Sequence, residues 1–414
     1  MSENTLRKDA QSIYQAAIRL SMPNAAVKRS LSKIRFAGGK LVVIAVGKAA
    51  WDMANAAHET LGSQISAGLI VTKHRHSKGP MAGFEIVEAG HPILDENSFA
   101  GARRAIEFVS GLGPQDTVLF LLSGGGSTLF ELSPLPLAEL QDINRQLLAC
   151  GADIQEINTI RKRLSLVKGG RFARLCTPAR VVSIMLSDVV SDQLDMIASG
   201  PTCLDLSTCE QALSIAEKYQ LRLSSEARRC LTEETPKTLE HVEYYTCGNV
   251  RQLCRAAASE CERLGYETVI LTDCLCCHAR DAGVMLSNIA QSHANCGRRK
   301  AFIAGGETVV QILGHGKGGR NQELALAAAE GIAGLTNVAV FSVGSDGTDG
   351  PTDAAGGYVD GMTQADLALC GIRISDVLRE NDSYRALEQC GGLIKTGATG
   401  TNVNDISVVL IDAI

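Results

Sequence analysis

The feature that most constrains the fold of this chain is an alternation of short aliphatic runs, glycine-containing turns and amphipathic stretches. Leu41–Val46 and Thr117–Leu122 are apolar throughout, as strands buried on both faces of a parallel sheet should be. Strands that alternate with helices predict βαβ units, an α/β fold and largely parallel sheets. The other predicted strands span 69–72, 85–88, 180–186, 267–272, 300–304, 308–313, 337–343 and 406–411, and predicted helices cover 49–61, 97–110, 137–175 and 249–264.

The 414 residues are enough for two or three domains. Between residues 231 and 245 the periodicity weakens around a Thr-Glu-Glu-Thr-Pro segment, and the alternation restarts beyond it. We therefore predict two α/β domains, residues 1–238 and 239–414. The cleft between two such domains is the default place for a ligand.

Composition excludes several classes of function. A net charge of −5 and 4% aromatic residues supply neither the basic field nor the stacking platforms that nucleic acid needs. No apolar run approaches the roughly 20 residues of a membrane span, and the first residues lack the features of a signal peptide. The fourteen cysteines are therefore interpreted as reduced thiols, and the crowded Cys274, Cys276, Cys277 and His278 as a cysteine-rich turn rather than a metal site.

Two turns that follow predicted strands are suited to anions, and such turns are where α/β sheets bind ligands. Lys48 follows Gly47 at the start of a predicted helix, where a cation is unfavourable unless an anion is present. The second turn contains three glycines, whose backbone N–H groups can converge into an anion nest for a phosphate or a carboxylate. Its residues are Ser123, Gly124, Gly125, Gly126 and Ser127.

Two further turns are rich in carboxylates. Asp188 and Asp192 follow the predicted strand 180–186, where they could hold Mg²⁺, accept a hydroxyl proton or cap the next helix. Asp346, Asp349 and Asp353 lie within eight residues after the strand 337–343. They form a candidate site for a hard cation, with a solvated Asp-Gly turn as the alternative.

The segment 305–323 combines glycines with charged and amide side chains, and its candidate binding residues are Glu307, Lys317, Arg320 and Asn321. Gly314, Gly316 and Gly319 also match the G-x-G-x-x-G fingerprint of dinucleotide-binding folds. The acidic residue expected at the end of the following strand is missing, because Asp346 comes too late. The two cations within the loop, Lys317 and Arg320, fit a polyphosphate better than the closely packed pyrophosphate turn of a dinucleotide site.

Glycine nests, fixed cations and carboxylate clusters, without an obvious catalytic nucleophile, form the inventory of phosphoryl transfer, which depends on positioning and charge stabilisation. Walker A is absent, since neither Lys48 nor Lys317 is followed by Ser or Thr, and the His-Arg-Asp signature of protein kinases is missing. A kinase with this sequence must therefore have a fold different from those of the Walker A kinases and the protein kinases.

The same motifs, in the same order, resemble the glycerate 2-kinases of the bacterial and archaeal type. Residues 46–49 (Val-Gly-Lys-Ala), 90–92 (Gly-His-Pro), 122–127 (Leu-Ser-Gly-Gly-Gly-Ser) and 187–202 resemble the N-terminal domain of that family. Residues 305–308 (Gly-Gly-Glu-Thr), 316–323 (Gly-Lys-Gly-Gly-Arg-Asn-Gln-Glu) and 344–350 (Gly-Ser-Asp-Gly-Thr-Asp-Gly) resemble its C-terminal MOFRL domain.

The resemblance implies a Rossmann-like N-terminal domain and an ATP- and Mg²⁺-dependent cytoplasmic kinase of carbohydrate metabolism that converts D-glycerate to 2-phosphoglycerate. Lys48 and Arg320 match positions regarded as active-site cations, and we assign them the charge of the transferred phosphoryl group. Asp188, with Asp192 as the alternative, is assigned to the 2-hydroxyl group, and Asp346, Asp349 and Asp353 to Mg²⁺. The nest at 123–127 would hold either the nucleotide phosphates or the glycerate carboxylate.

Two other functions stay open at this point. Members of the family have been labelled hydroxypyruvate reductases, and the G-x-G-x-x-G match would suit an NAD(P)-dependent enzyme. A non-catalytic module that binds sugar acids or nucleotides would also fit, because fold does not determine function. Apolar helix faces are compatible with a homodimer.

Overall fold

A computed structural model describes residues 3–36, 38–186 and 194–413. They form two compact units: the parallel-sheet unit, Pro23–Cys247, and the mixed-sheet unit, Met1–Met22 with Gly248–Ile414. Helix α1 (Glu3–Ser21) belongs to the mixed-sheet unit, where the Tyr266 hydroxyl donates to Asp9 over 2.8 Å. The units thus differ from the predicted domains 1–238 and 239–414, because α1 packs with the C-terminal half and strand 242–248 joins the first sheet.

The parallel-sheet unit is a six-stranded sheet flanked by helices, in the order β3-β2-β1-β4-β5-β6. The strands from β3 to β5 pair in parallel, as the apolar runs predict. Several helices begin with side-chain caps, such as the reciprocal Asp95–Ser98 capping box of α4. The elements are α2 (Pro23–Leu31), β1 (Leu41–Val46), α3 (Ala50–Leu61), β2 (Ile65–Lys73), β3 (Phe84–Ala89), α4 (Glu96–Val109), β4 (Thr117–Leu122), α5 (Gly126–Leu129), α6 (Leu137–Ala149), α7 (Ile154–Leu164), α8 (Arg171–Leu175), β5 (Arg180–Leu186), α9 (Cys209–Lys218), α10 (Ser225–Leu231) and β6 (Val242–Gly248).

This strand order reverses direction between β1 and β4, as it does in doubly wound dinucleotide-binding folds. The predicted Rossmann-like topology is therefore present. In such sheets, ligands bind beyond the carboxyl ends of the two strands at the reversal point. Val46 ends β1 directly beside Leu122, which ends β4.

The mixed-sheet unit has the order β11-β10-β9-β12-β8-β7, and its central strand β12 is antiparallel to both neighbours. The prediction of a largely parallel sheet is wrong here, because a strand buried on both faces is apolar throughout in either direction. The elements are α11 (Val250–Arg263), β7 (Glu267–Leu275), α12 (Ala279–His293), β8 (Lys300–Gly306), α13 (Arg320–Gly331), β9 (Val338–Gly344), β10 (Gly356–Asp360), α14 (Thr363–Leu369), α15 (Ile374–Arg379), α16 (Ser383–Gln389), β11 (Leu393–Ile394) and β12 (Asp405–Ile411).

The strand predicted over 308–313 is wrong. Only Val309 forms an isolated bridge, to His278, and the side chains of Ile312 and Leu313 are 80% and 62% exposed. These apolar residues have no sheet neighbour to bury them, so the pattern alone misleads. Among the described residues, no helix combines the length and apolar character that a bilayer crossing requires.

Candidate active site

The first cluster of site residues lies at the carboxyl ends of β1 and β4 in the parallel-sheet unit. Because Val46 and Leu122 are aligned in the sheet, the turns that follow them lie side by side. The backbone N–H of Lys48 donates to the carbonyl of Gly124 over 2.9 Å. Two turns that the sequence identified separately, Lys48 and residues 123–127, are thus parts of one site.

Ser123 fastens these two turns together. Its hydroxyl accepts from the Ala49 N–H over 3.1 Å and donates to the Val46 carbonyl over 3.3 Å, and the residue is 1% exposed. Gly47 has a φ of +120°, and a Cβ there would lie 2.2 Å from the Ser123 hydroxyl oxygen. Only glycine fits this position. The prediction that Ser123 itself contacts an anion is therefore corrected: its hydroxyl is used within the protein.

The glycine turn presents free backbone donors. Within the described residues, the N–H groups of residues 124–127 donate to no acceptor. The buried ammonium group of Lys168 donates to the Ser127 carbonyl over 2.7 Å and pairs with Glu131, which fixes the end of the turn. Unpaired N–H groups in a fixed turn are what an anion nest requires, so the nest at this turn stays a prediction.

Cationic and imidazole groups surround this nest. Lys48 is exposed, and in the described part of the chain neither it nor Lys73 forms an ion pair. A Cβ on Gly125 would lie 3.1 Å from both Lys48 Cγ and His91 Cδ2, so both side chains border the turn. Burial, with the charges of Lys48, Lys73 and His76 acting in the same direction, lowers the pKa of His91 to about 4. The nest lies in a positive field.

Asp188 and Asp192, predicted to act on the substrate hydroxyl, lie outside the described residues. The neighbouring carboxylate of Asp195 is described, and it accepts a hydrogen bond from Lys162 over 2.8 Å. Lys162 also reaches the buried Asp205 at 3.2 Å. Asp195 and Asp205 therefore both pair with the buried ammonium group of Lys162.

The second cluster lies in the mixed-sheet unit, where the amino end of β12 meets the carboxyl ends of β8 and β9. Asp405 begins β12 and is opposite Gly306 on one side and Gly344 on the other. Arg320, the first residue of α13, donates Nε to Asp405 Oδ2 at 2.5 Å and Nη2 to Oδ1 at 3.0 Å. Its Nη1 lies 3.0 Å from Glu307 Oε1. Two carboxylates therefore fix the guanidinium plane.

Asp405 is nearly enclosed, with 7% of its side chain exposed. Burial raises its pKa to about 6, and the hydrogen bond and charge of Arg320 only partly offset that rise. Arg320 itself keeps 35% exposure. The pair therefore presents a cation to solvent while its counter-ion stays inside.

Asn404 completes this cluster. It has a left-handed backbone (φ +68°), and its Nδ2 donates to Glu307 Oε2 over 3.2 Å. Its buried Oδ1 has no hydrogen-bond partner among the described residues. Asp346 is half-buried, and a Cβ on Gly344 would lie 3.3 Å from Asp346 Oδ1 and 3.4 Å from Asp405 Oδ1. Asp346 thus lies beside the Arg320 pair.

Two predicted binding residues have structural roles instead. The carboxylate of Asp349 is 3% exposed and accepts from the N–H groups of Asn321 (3.1 Å) and Gln322 (2.8 Å) in the first turn of α13. The Asn321 side chain is 1% exposed and accepts from the Ser342 hydroxyl over 2.6 Å. Asp349 therefore caps the helix and Asn321 holds it to β9, so neither is free for a ligand.

The G-x-G-x-x-G match has a packing explanation. A Cβ on Gly314 would lie 2.4 Å from the Glu380 backbone, and one on Gly316 would lie 2.5 Å from the Glu380 carbonyl oxygen. A Cβ on Gly319 would lie 2.3 Å from the Asp349 carboxyl carbon. The glycines thus allow close contact with neighbouring chain, and Asp349 occupies the helix N-terminus where a pyrophosphate would bind.

Lys317 and Asp353, the remaining predicted residues of this unit, contact Tyr384 rather than the Arg320 cluster. Lys317 places its ammonium group 4.0 Å above the Tyr384 ring and has no ion pair in the described ranges. Asp353 accepts from the Tyr384 hydroxyl at 2.7 Å and pairs with Lys395 at 2.9 Å, which lowers its pKa to about 2. Asp353 is thus neutralised by its own neighbours.

The predicted three-carboxylate magnesium site is therefore not assembled. The part of the chain that the structure describes contains no group of three His, Cys, Asp or Glu residues able to hold a metal ion. Asp349 caps a helix and Asp353 pairs with Lys395, whereas Asp346 keeps one carboxylate oxygen without a hydrogen bond from any described residue. In the Cys274–His278 segment, Cys274 lies in β7 and His278 forms the isolated bridge to Val309, so the segment predicted as a turn begins within a strand.

The sequence motifs assigned no role to three residues of these clusters. His91 stands beside the nest only because β3 is two places from β1 in the sheet, which no local pattern shows. Asp405 and Asn404 lie at the start of the last strand, where the antiparallel direction of β12 brings them to the ends of β8 and β9. One sequence pattern marks all three residues: a polar side chain next to the end of an apolar run, where α/β sheets bind ligands.

Comparison with protein families gives two matches. Residues 9–232 match a domain of unknown function, DUF4147, and residues 300–405 match the MOFRL family.

Comparison with characterised proteins gives matches along the whole chain. It is 49% identical to D-glycerate 2-kinase from Thermotoga maritima, over 98% of this chain and 99% of that protein. A crystal structure of glycerate kinase from Thermotoga maritima superposes with a TM-score of 0.96 at 49% identity, covering 99% of this chain and 100% of the other. An Agrobacterium vitis protein that carries a hydroxypyruvate reductase name is 37% identical over 98% of this chain and 94% of that protein.

Proposed function

The chain belongs to the glycerate 2-kinase family with a C-terminal MOFRL domain, and from this premise we propose that it transfers the terminal phosphoryl group of ATP to the 2-hydroxyl group of D-glycerate. The product is 2-phosphoglycerate. The 49% identity to a D-glycerate 2-kinase along almost all of both chains is the observation that carries the proposal. Such a reaction needs binding groups for a carboxylate and for a polyphosphate, and both units contain anion-binding clusters.

In the parallel-sheet unit, the nest at 124–127 and Lys48 bind the phosphates of ATP. The reason is electrostatic: the N–H groups are unpaired, and Lys48 and Lys73 have no carboxylate partner in the described residues. A triphosphate carries several negative charges and gains more from this field than the single carboxylate of glycerate would. Lys48 then neutralises charge on the phosphoryl group in flight.

In the mixed-sheet unit, Arg320 stabilises the charge that develops during transfer. Two hydrogen bonds to Asp405 and the contact with Glu307 hold its guanidinium in one plane, so little reorganisation is needed when the charge appears. Asp405 is a positioning residue here, because its buried carboxylate acts through Arg320. Lys317, with no ion pair of its own among the described residues, adds a second cation in this unit.

Mg²⁺ at such a site neutralises phosphate charge and orients the phosphoryl group. Magnesium in phosphoryl-transfer sites is commonly held by one or two carboxylates together with phosphate oxygens and waters. Asp346 fits this requirement, since it is half-buried and, among the described residues, its side chain has one hydrogen bond, accepted from the Thr348 N–H. Asp346 would hold the metal, without Asp349 or Asp353.

The proton of the 2-hydroxyl group must leave as the phosphorus–oxygen bond forms. Asp188 remains the predicted acceptor, with Asp192 as the alternative, and both positions lie outside the described residues. We place the reaction in the cytoplasm, because fourteen free thiols are stable in a reducing compartment.

A hydroxypyruvate reductase is the weaker alternative. Its sequence support was the glycine fingerprint, and those glycines are explained by contacts with Glu380 and Asp349. The relative that carries the reductase name is 37% identical, below the 49% of the kinase. A binding module without catalysis has no observation in its favour.

The test is a product assay with ATP, Mg²⁺ and D-glycerate in which 2-phosphoglycerate is resolved from 3-phosphoglycerate. Parallel reactions contain hydroxypyruvate with NADH or NADPH and are followed by nicotinamide absorbance. We expect ATP-dependent 2-phosphoglycerate and no nicotinamide oxidation. Formation of 3-phosphoglycerate alone would refute the assigned position, and nicotinamide oxidation without phosphorylation would refute the kinase.

A further inference from the structure

His91 is a polar side chain of the parallel-sheet unit that the proposed mechanism does not yet use. It follows β3 after Gly90, at the same edge of the sheet as the nest. A Cβ on Gly125 would lie 3.1 Å from His91 Cδ2 and 3.3 Å from His91 Nε2. The imidazole edge therefore borders the glycine turn directly.

Gly125 shows why this edge is left open. Its φ of +87° is left-handed, and any side chain there would fill the space between His91 and the Lys48 side chain. The glycine thus keeps an imidazole and an ammonium-bearing chain on either side of the unpaired N–H groups of residues 124–127. An imidazole, a lysine side chain and unpaired backbone N–H groups therefore all border the glycine turn.

The charged groups around His91 determine its protonation. Lys48, Lys73 and His76 are the cations that act on it, and burial acts in the same direction, so its pKa falls to about 4. The carboxylates nearby are engaged elsewhere: Asp95 binds His74 at 2.9 Å and caps α4, and Glu88 accepts from the Ser77 N–H. His91 is therefore a neutral imidazole across the physiological range.

We propose that His91 is a ligand-binding residue whose neutral imidazole hydrogen-bonds to the anion held by Lys48 and the N–H groups of residues 124–127. This proposal rests on the proposed function, under which that anion is the phosphate chain of ATP. A neutral donor suits a place where two lysines already supply the positive charge, because a further cation would repel them.

Ligand binding has a reciprocal effect on His91 that can be measured without turnover. A bound anion offsets the repulsion from the lysines, so the protonated imidazole becomes less unfavourable and its pKa rises. We expect nuclear magnetic resonance titration to show that the pKa of His91 rises from about 4 to between about 5 and 6 with saturating ADP and Mg²⁺. The His91→Gln variant assigns its signal among the eight histidines.

The probes discriminate between ligands. ADP with Mg²⁺, inorganic phosphate and D-glycerate are added separately to the full chain. A rise with ADP supports the proposal, and phosphate at high concentration should give a smaller rise of the same sign. An unchanged titration with saturating ADP overturns it, and a rise with D-glycerate alone overturns the assignment to phosphate.

Kinetics provides the second readout. His91→Phe removes one neutral hydrogen bond, so the KM for ATP should rise about 3- to 10-fold with a smaller change in kcat, while His91→Gln should stay within about 3-fold of the native enzyme. His74→Phe is the matched control, because His74 lies at the same sheet edge but binds Asp95. Equal effects of the His91 and His74 substitutions would overturn the proposal.

These outcomes separate the two proposals. If the native chain makes no 2-phosphoglycerate but ADP still shifts His91, the proposed reaction fails and the binding role of His91 stands. If the native chain is a kinase and His91→Phe leaves the KM for ATP unchanged, the proposed reaction stands and the role of His91 fails.

Discussion

Replacing Asp405 by Asn should uncouple the stability of the mixed-sheet unit from pH. Burial raises the pKa of Asp405 to about 6 in the folded protein, against about 3.9 in an unfolded chain. Between these values the folded state holds the proton more tightly, so folding stability falls as the pH rises through this window. The difference corresponds to about 3 kcal/mol, of which about 2 kcal/mol lies between pH 4.5 and 7.5.

Asn has nearly the shape of the protonated acid but does not ionise. The free energy of unfolding of the native chain should therefore decrease by about 2 kcal/mol relative to Asp405→Asn between pH 4.5 and 7.5. Urea denaturation followed by circular dichroism measures this, because the single tryptophan, Trp51, lies in the parallel-sheet unit and would not report it.

Asp353→Asn is the control for this measurement. Its pKa is lowered to about 2 by Tyr384 and Lys395, so its contribution to stability is present above about pH 5 and lost only as the pH falls toward 2. The difference between the native chain and Asp353→Asn should be nearly constant from pH 5 to 7.5. A constant difference for Asp405→Asn as well would refute the reasoning.

The same substitution tests the role of Asp405 in positioning. Asn keeps one oxygen that can accept from Arg320 but lacks the charge and the second acceptor, so the plane of the guanidinium is held less firmly. We expect kcat to fall by about 10- to 100-fold, since small misplacements of a catalytic group have effects of this order. An unchanged kcat would show that Arg320 needs no positioning by Asp405.

The remaining predictions concern both clusters. Lys48→Met should raise the KM for ATP by about 10- to 100-fold, the cost of one charged hydrogen bond, while the KM for D-glycerate stays within about 3-fold; the reverse pattern in steady-state kinetics would place glycerate at the nest. Gly47→Ala should lower the melting temperature more than Gly79→Ala does, because both have a φ near +120° but only the first would clash; equal losses in calorimetry would contradict this. Asn404→Gly should change stability by less than about 1 kcal/mol, since the loss of one hydrogen bond to Glu307 is offset by relief of a left-handed φ and of a buried, unpartnered oxygen. Asn381→Gly should instead destabilise, because its side chain makes four hydrogen bonds, and thermal melting compares the two.

Most strands of the parallel-sheet unit could be predicted because their centres are apolar runs, whereas β6, with mixed polar residues, was not. Leu41–Val46 and Thr117–Leu122 are β1 and β4 with the predicted bounds. The direction of β12 could not be predicted, since its side chains are buried on both faces whichever way the strand runs. β10 was missed because its five residues begin with two glycines and resemble a turn.

The candidate sites were predictable as far as loops, but less as individual side chains. Residues 124–127 carry the unpaired N–H groups that a nest would need, yet the Ser123 hydroxyl serves the fold, because hydroxyls next to a tight turn find backbone partners first. Asp349 and Asp346 look equivalent in sequence, and only the position of α13 decides that one caps a helix. Such a choice depends on contacts between residues far apart in the chain.

The placement of α1 has a consequence for how the polypeptide is made. Its buried residues include Leu6, Ala10 and Ile13. They pack in the mixed-sheet unit, whose strands all come after Gly248 in the chain. About 225 residues separate the two segments of this unit. At a synthesis rate of 5–20 residues per second, α1 therefore has no packing partners for roughly 10–45 seconds. During that time the parallel-sheet unit can fold as one continuous stretch. Helix α1 is thus synthesised before the parallel-sheet unit but buried after it, and its apolar face is open to chaperones in the interval.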